Sequence, residues 1–245
     1  MNEYSFINWF SAETGPNGGF LIANREKNDK YHRILEAAVK VFARQGYFQS
    51  TIAQIAGEAG VADGTIYLYF KNKDDILVQF FSYKTKQVFE RFREEVDRSE
   101  TAIGKLRNLV RIHLEEFQRD RNMAIVYQTE THQISRMAED QIREMSKLYL
   151  DIISEIVECG QEEGAIRRDL YLGLVKRMII GSVDEVINTW LHAGGQYDLV
   201  SMAEPLVELF IRGIGAQPHH ANAAGGADEP GRSGWSQPQP VKEGE

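Results

Sequence analysis

The sequence predicts an all-α fold, and three observations carry the prediction. Apolar residues recur at helical spacing almost without interruption between residues 31 and 214. No stretch alternates apolar and polar residues in the manner of a half-buried strand. Residues 51–73, TIAQIAGEAGVADGTIYLYFKNK, read as two short helices joined by a tight turn and closed by a basic exit.

Residues 1–24 show no helical or strand period, and Gly15-Pro16-Asn17-Gly18-Gly19 is loop chemistry, so this segment is expected to be irregular. It carries an aromatic cluster, Tyr4, Phe6, Trp9 and Phe10, with no assigned role. Residues 25–75 form the first domain. Its first helix places Ile34, Leu35, Ala38, Val39 and Phe42 on one face. Thr51 with Gln54 three residues on is a capping box, and Ile52, Ile55, Ala56 and Ala59 line the helix it starts. Gly60 ends that helix, because glycine adopts the left-handed conformation without strain. The second helix, about residues 62–70, turns Ile66 and Phe70 inward and presents Asp63, Gly64, Thr65, Tyr67 and Tyr69 outward. That is a helix-turn-helix exposed enough to enter a major groove.

Residues 76–214 continue as helices. Asn72 caps a long fourth helix, with Asp75 as reciprocal partner, and its stripe is Leu77, Phe80, Phe81, Val88, Phe89, Phe92 and Val96. The fifth carries Leu106, Leu109, Val110, His113, Leu114 and Phe117. A sixth over about residues 121–135 and a seventh over about 140–163 follow, the latter stopped by Gly164. The eighth, about residues 171–192, has paired apolar positions: Leu174/Val175, Met178/Ile179, Val186/Ile187 and Trp190/Leu191, with Val183 between. The ninth holds Ala203, Leu206, Val207, Phe210, Ile211 and Ile214, with Pro205 in its first turn, where proline is tolerated. The stripes of the last two helices are wide enough for plain core or for a seam with a second copy, with Val186 and Phe210 on that seam. Residues 215–245, rich in Ala, Gly, Pro and Gln, read as a disordered tail.

With 42% apolar and 26% charged residues, the composition is that of an ordinary globular protein. No run of eighteen apolar residues suggests a membrane span, and the first residues lack the basic and apolar parts of a secretory signal. The lone Cys159 excludes an internal disulfide framework and suits the cytoplasm. Net charge is −8, yet residues 24–75 hold eight Lys/Arg against seven Asp/Glu. Affinity for nucleic acid would then rest on a few placed contacts rather than on a basic field. The six histidines show no metal-ligand spacing, and no nucleophile elbow, P-loop or dinucleotide-binding glycine pattern occurs, so neither an enzyme nor a metal or cofactor is expected. Phe81, Phe89, Phe92, Phe117, Tyr127, Tyr149, Met178 and Trp190 exceed what a thin bundle needs, and would suit plain core or the walls of an apolar tunnel.

The run from Tyr31 to Leu77 resembles the DNA-binding domain of the TetR family of transcriptional regulators. The resemblance rests on Gly46-Tyr47, Ile55-Ala56 with Ala59-Gly60-Val61, Gly64-Thr65-Ile66-Tyr67, Tyr69-Phe70 and Lys71-Asn72-Lys73. It implies that Thr65 and Tyr67 touch DNA backbone or base edges, that Tyr69, Lys71 and Lys73 hold phosphates, and that Thr51 and Gly64 complete the surface. It also implies a homodimer joined through the last two helices, binding a palindromic double-stranded operator.

Over residues 31–214 the chain is similar to the subgroup of that family that represses fatty-acid degradation genes and releases DNA on binding long-chain acyl-CoA. The further matches are Gly181-Ser182-Val183-Asp184-Glu185 followed by Trp190, and Asn122-Met123-Ala124-Ile125-Val126. The chain departs from the pattern at residues 128–133, where Gln-Thr-Glu-Thr-His-Gln replaces a segment that carries an arginine. His132 is mostly neutral at pH 7, which moves the expected phosphate contact to Arg107, Arg111, Arg119 or Arg121. His113, Tyr127, Glu130 and Trp190 complete the expected effector site, although His113 and Glu130 read equally well as a core histidine and an ion-pair partner. The reading is an N-terminal helix-turn-helix DNA-binding domain followed by a helical ligand-binding and dimerisation domain. The alternative is the same scaffold sensing a drug-like amphiphile, with Glu130 or Asp184 carrying the recognition.

Overall fold

The computed structural model describes residues 18–137 and 139–215, with side chains described for residues 28–130 and 147–215. The aromatic cluster near the N-terminus, the tail beyond residue 215 and the side chain of His132 lie outside the described residues. Among those described, the chain forms nine α-helices, one 3₁₀ turn and no strand, only an isolated bridge between Ile166 and Gly215.

Helix α1 runs Gly18–Gln45, so residues 18–24, expected to be irregular, are its first turns. The reason is cooperativity: once the amphipathic segment downstream is helical, each added residue gains a hydrogen bond without a new nucleation step. Gly46, at φ +80°, ends α1. Helices α2 (Ile52–Ala59) and α3 (Asp63–Ile66) follow. Thr51 and Gln54 form the expected capping box, and Gly60 is left-handed at φ +64°. Helix α3 is a single turn, shorter than the expected span, but the chain continues as turns through Tyr69 and buries Ile66 and Phe70 as anticipated.

Helix α4 (Lys73–Asp97) is 25 residues long, roughly 37 Å, and links the two parts of the molecule. Asn72 caps it by accepting from Asp75 N at 2.8 Å. Asp75 is not the reciprocal partner expected, for its side chain accepts from Lys71 N at 2.9 Å instead. Helix α5 (Ala102–Arg119) is the axis of the larger part, with Leu106, Leu109, Val110 and Leu114 fully buried. Around it lie α4, α6 (Arg121–Met137), α7 (Glu139–Glu162), α8 (Leu172–His192) and α9 (Ala203–Ile214). Helix α1 packs against α6, which brings the small domain onto the large one.

The paired positions of α8 separate into two faces. Val175, Ile179, Val183, Ile187 and Trp190 are buried within the protomer, whereas Leu174 and Met178 remain exposed. In α9, Phe210 is buried and its neighbour Leu209 is exposed. Phe210 is thus a core residue of the single chain rather than a seam residue.

Gly60 has open space where a Cβ would stand, so replacing it introduces backbone strain alone. Gly60→Ala is expected to destabilise the protein by about 1–2 kcal/mol, read as a fall of roughly 2–8 °C in melting temperature.

Candidate functional site

Two sites and the joint between them emerge from the packing. The first is the outer surface of α2 and α3. Burial of Ile55, Ile66 and Phe70 fixes how these helices sit, and what remains outside is chemically mixed. Thr51, Gly64, Tyr67 and Lys71 are exposed, and Thr65 and Tyr69 are half-buried. Nothing approaches the place of a Cβ at Gly64, so another molecule can come close to the backbone there. Two residues that the sequence reading passed over are the most exposed large apolar side chains described: Leu68 at 77% and Phe48 at 73%. Their signal was present, since neither falls on an apolar helical stripe.

Lys73 does not join this surface. Its ammonium donates to the carbonyls of Tyr47 (2.8 Å), Ser50 (2.9 Å) and Phe48 (3.4 Å). It also sits 4.3 Å over the Tyr47 ring. Those three carbonyls take up the three protons an ammonium carries, and burial lowers its pKa, with Glu130 opposing. Lys73 is therefore a clamp on the α1–α2 loop and not the expected phosphate contact.

The second site is a cavity of about 160 Å³ enclosed by α4, α5, α6, α7 and α8. Phe81, Phe89, Phe92, Phe117, Tyr127 and Tyr149, all anticipated as excess aromatics, line it. The rings interlock: Phe81 stacks on Tyr127 at 5.8 Å between centroids, and Phe117 meets Tyr127 edge-on at 5.3 Å. His113 and Tyr149 also line it and share a hydrogen bond of 2.8 Å. Burial pushes the His113 imidazole down to about 3, so it is neutral. Burial, with Asp184 adding, pushes the Tyr127 hydroxyl up to about 12. Lys84 and Asp184 bring charge to the wall. Lys84 was not anticipated, although it follows Phe81 by three residues and so shares its helix face.

Of the expected effector residues, the structure gathers His113 and Tyr127 in the cavity and places the others elsewhere. Arg107 makes a two-pronged bond to Glu204 (2.8 and 3.0 Å), joining α5 to α9. Arg111 lies between Glu95 (2.7 Å) and Glu115 (3.0 Å). Arg119 pairs with the buried Glu116, which also meets Arg91. Arg121 lies against Gly195. The reason is helix geometry. At about 100° per residue, Arg111 and Arg119 each stand some 200° around α5 from His113 and Phe117, on the far side from the cavity. Trp190 is buried and donates its indole N–H to Tyr197 O at 2.8 Å, which pins the turn after α8.

Glu130 forms the joint. It is buried and accepts from Tyr47 N at 3.2 Å, 83 residues away in the chain. Burial raises its pKa, against the pull of the Thr129 hydroxyl and of Lys73. The Tyr47 hydroxyl donates to Asp74 at the start of α4. Tyr127 precedes Glu130 by three residues and so lies on the same face of α6. One helical turn thus separates the cavity wall from the bond that holds the α1–α2 loop.

Among the described residues no group of three or more His, Cys, Asp and Glu could hold a metal ion. No helix among them is long and apolar enough to cross a membrane.

Comparison with known proteins accounts for both parts. Residues 34–80 match the family model of bacterial regulatory proteins of the tetR family, and residues 81–213 match that of the C-terminal region of YsiA-like proteins. The fatty acid metabolism regulator protein of Bacillus subtilis (strain 168) is 42% identical over 190 residues, covering 78% of this chain and 98% of that protein. The crystal structure of the transcriptional regulator FadR from Bacillus subtilis in complex with stearoyl-CoA superimposes with a TM-score of 0.70 at 42% identity, over 75% of this chain and 99% of that one. The fatty acid degradation regulator FadR from Bacillus halodurans gives 0.71 at 35% identity, over 82% and 97%. A helix-turn-helix followed by a cavity-bearing helical domain, matched along its length in this way, shows that the chain belongs to the TetR family of bacterial regulatory proteins.

Proposed function

We propose that this regulator represses fatty-acid degradation genes as a cytoplasmic homodimer, binding a palindromic operator and leaving it when long-chain acyl-CoA enters the cavity. It acts as a binding switch and not as an enzyme. The observation that carries the reading is the aromatic cavity one helical turn from the Glu130–Tyr47 bond. A relative 42% identical is a fatty acid metabolism regulator, and a crystal structure at that identity holds stearoyl-CoA, which favours an acyl thioester over a drug-like amphiphile.

The cavity, at about 160 Å³, is smaller than the roughly 300–1,000 Å³ typical of ligand pockets. A long acyl chain therefore has to part the helices around it, and α4 carries that displacement to the domain that begins where α4 does. Movement of Tyr127 draws on Glu130 and hence on Tyr47, whose loop Lys73 ties to the same end of α4. The effector binds the spread arrangement more tightly than the DNA-bound one, and its power to release DNA equals that differential affinity.

At the operator, Thr51, Thr65 and Tyr67 meet backbone or base edges, the open backbone at Gly64 allows close approach, and Tyr69 and Lys71 hold phosphates. Leu68 adds an apolar side chain suited to a thymine methyl. Two such surfaces need a twofold axis to meet successive major-groove faces. The exposed face of α8 and α9 supplies it: a groove of about 540 Å³ lined by Met178, Val186, Met202 and Leu206, among others, with Leu209 exposed on α9. A face of this apolar character is expected to be covered in the working protein.

Four outcomes test the reading. Titrating the protein bound to its own promoter DNA with acyl-CoAs of increasing length should release it, with affinity rising about fourfold per buried methylene (~0.8 kcal/mol) until the cavity is full. Free CoA that releases DNA equally well would refute it. Leu209→Glu should shift sedimentation from dimer to folded monomer and abolish operator binding; an intact dimer would move the interface elsewhere. Lys71→Ala should weaken binding evenly across operator variants and lower the salt slope by about one. Lys73→Ala should instead lower the melting temperature of the free protein. An unchanged slope in the first variant, or an unchanged melt in the second, would reverse these assignments.

A further inference from the structure

The cavity wall holds an acid for which a purely alkyl ligand has no use. Asp184 faces the aromatic lining, and its one-residue neighbour Glu185 opens onto the outer groove instead. Besides Asp184, Lys84 is the charged residue among the described lining, and its ammonium lies 3.3 Å from Asp120. Neutral His113 is bonded to Tyr149 and contributes no charge. The described wall therefore carries an anion without a cation devoted to it. Its charge adds to burial in raising the pKa of both Tyr127 and Tyr149 on the same wall. Burial brings the Asp184 carboxyl up to about 6, so it remains mostly ionised above pH 7.

We infer that Asp184 sets the effector class, admitting acyl thioesters and rejecting free fatty acids by excluding a second carboxylate from the cavity. This rests on the reading that the cavity holds the acyl chain. An acyl thioester and its free acid bury the same methylenes, so the chain cannot tell them apart. They differ at the head: the thioester is neutral and the acid is an anion at pH 8. Two like charges sharing a cavity of about 160 Å³ walled mostly by aromatic and aliphatic side chains repel more strongly than they would in bulk water. Arg107, Arg111 and Arg119 do not line the cavity and are engaged by Glu204, Glu95 and Glu116, so none of them offsets an incoming carboxylate. Asp184 is thus a specificity residue that acts by repulsion rather than by a new attractive contact.

The test is calorimetric titration of the full-length protein at pH 8 with lauroyl-CoA, lauroyl-pantetheine and laurate, each below its micelle concentration. Wild type should bind both thioesters and bind laurate at least tenfold more weakly than lauroyl-pantetheine. Asp184→Asn, nearly the same shape without the charge, should gain at least tenfold for laurate while its affinity for the thioesters shifts less than threefold. Laurate binding unchanged in Asp184→Asn, with thioester binding intact, overturns the inference and leaves the acyl-CoA reading standing. Wild type that binds no thioester overturns both. Should the variant fail to fold, wild type alone decides: laurate bound as tightly as lauroyl-pantetheine excludes a charge filter.

Discussion

The arrangement depends on how the backbone around Tyr47 is held. This loop leaves α1 through a left-handed glycine and must turn into the helix-turn-helix, which leaves carbonyls and an amide without helical partners. Buried backbone groups need partners, and here they come from distant parts of the chain. Lys73 takes three carbonyls, Glu130 takes the Tyr47 amide, and Asp74 takes the Tyr47 hydroxyl. One residue, Tyr47, thus ties the end of α1 to α4 and α6 through its amide, carbonyl and hydroxyl. Two charged residues committed to a loop are costly to bury, and their removal would leave several polar groups unpaired at once.

In the function proposed above, that knot is what couples the two surfaces. The helices α2 and α3 are short; burial of Ile55, Ile66 and Phe70 seats them on the small domain, and the bonds around Tyr47 join that domain to α4 and α6. The cavity lies against the other side of the same grip, through Tyr127 and Phe81. A packed core moves between discrete arrangements rather than deforming smoothly, and the proposed entry of an acyl chain into a cavity of about 160 Å³ requires such a second arrangement. The ion pairs around α5, including the buried Glu116 with Arg91 and Arg119, lie away from the cavity and tie α5 to α4.

Much of this was legible in the sequence. Periodicity of 3.6 residues places side chains on a face with no knowledge of neighbours, so the helices, the capping box at Thr51, the stop at Gly60 and the buried Ile66 and Phe70 all follow from local rules. The aromatic excess on α4 to α7 was visible for the same reason, because too many large side chains on inward faces leave space that must be lined. Residues 18–24 were misread because helix growth from a strong neighbour overrides a loop-like composition.

By itself, the sequence determined the all-helical architecture, the helix-turn-helix and the inward faces, because these depend on spacing along one chain. What only the tertiary structure decided is the partner of each polar side chain. Lys73 looked like a phosphate contact until the loop it clamps was folded against it. Arg107 and Arg111 looked free until Glu204 and Glu95 were brought beside them. Glu130 and Trp190 looked like effector contacts until Tyr47 and Tyr197 came within hydrogen-bond reach. A charge acts over a few ångströms in space, and residues separated by tens of positions reach that distance only when the helices pack.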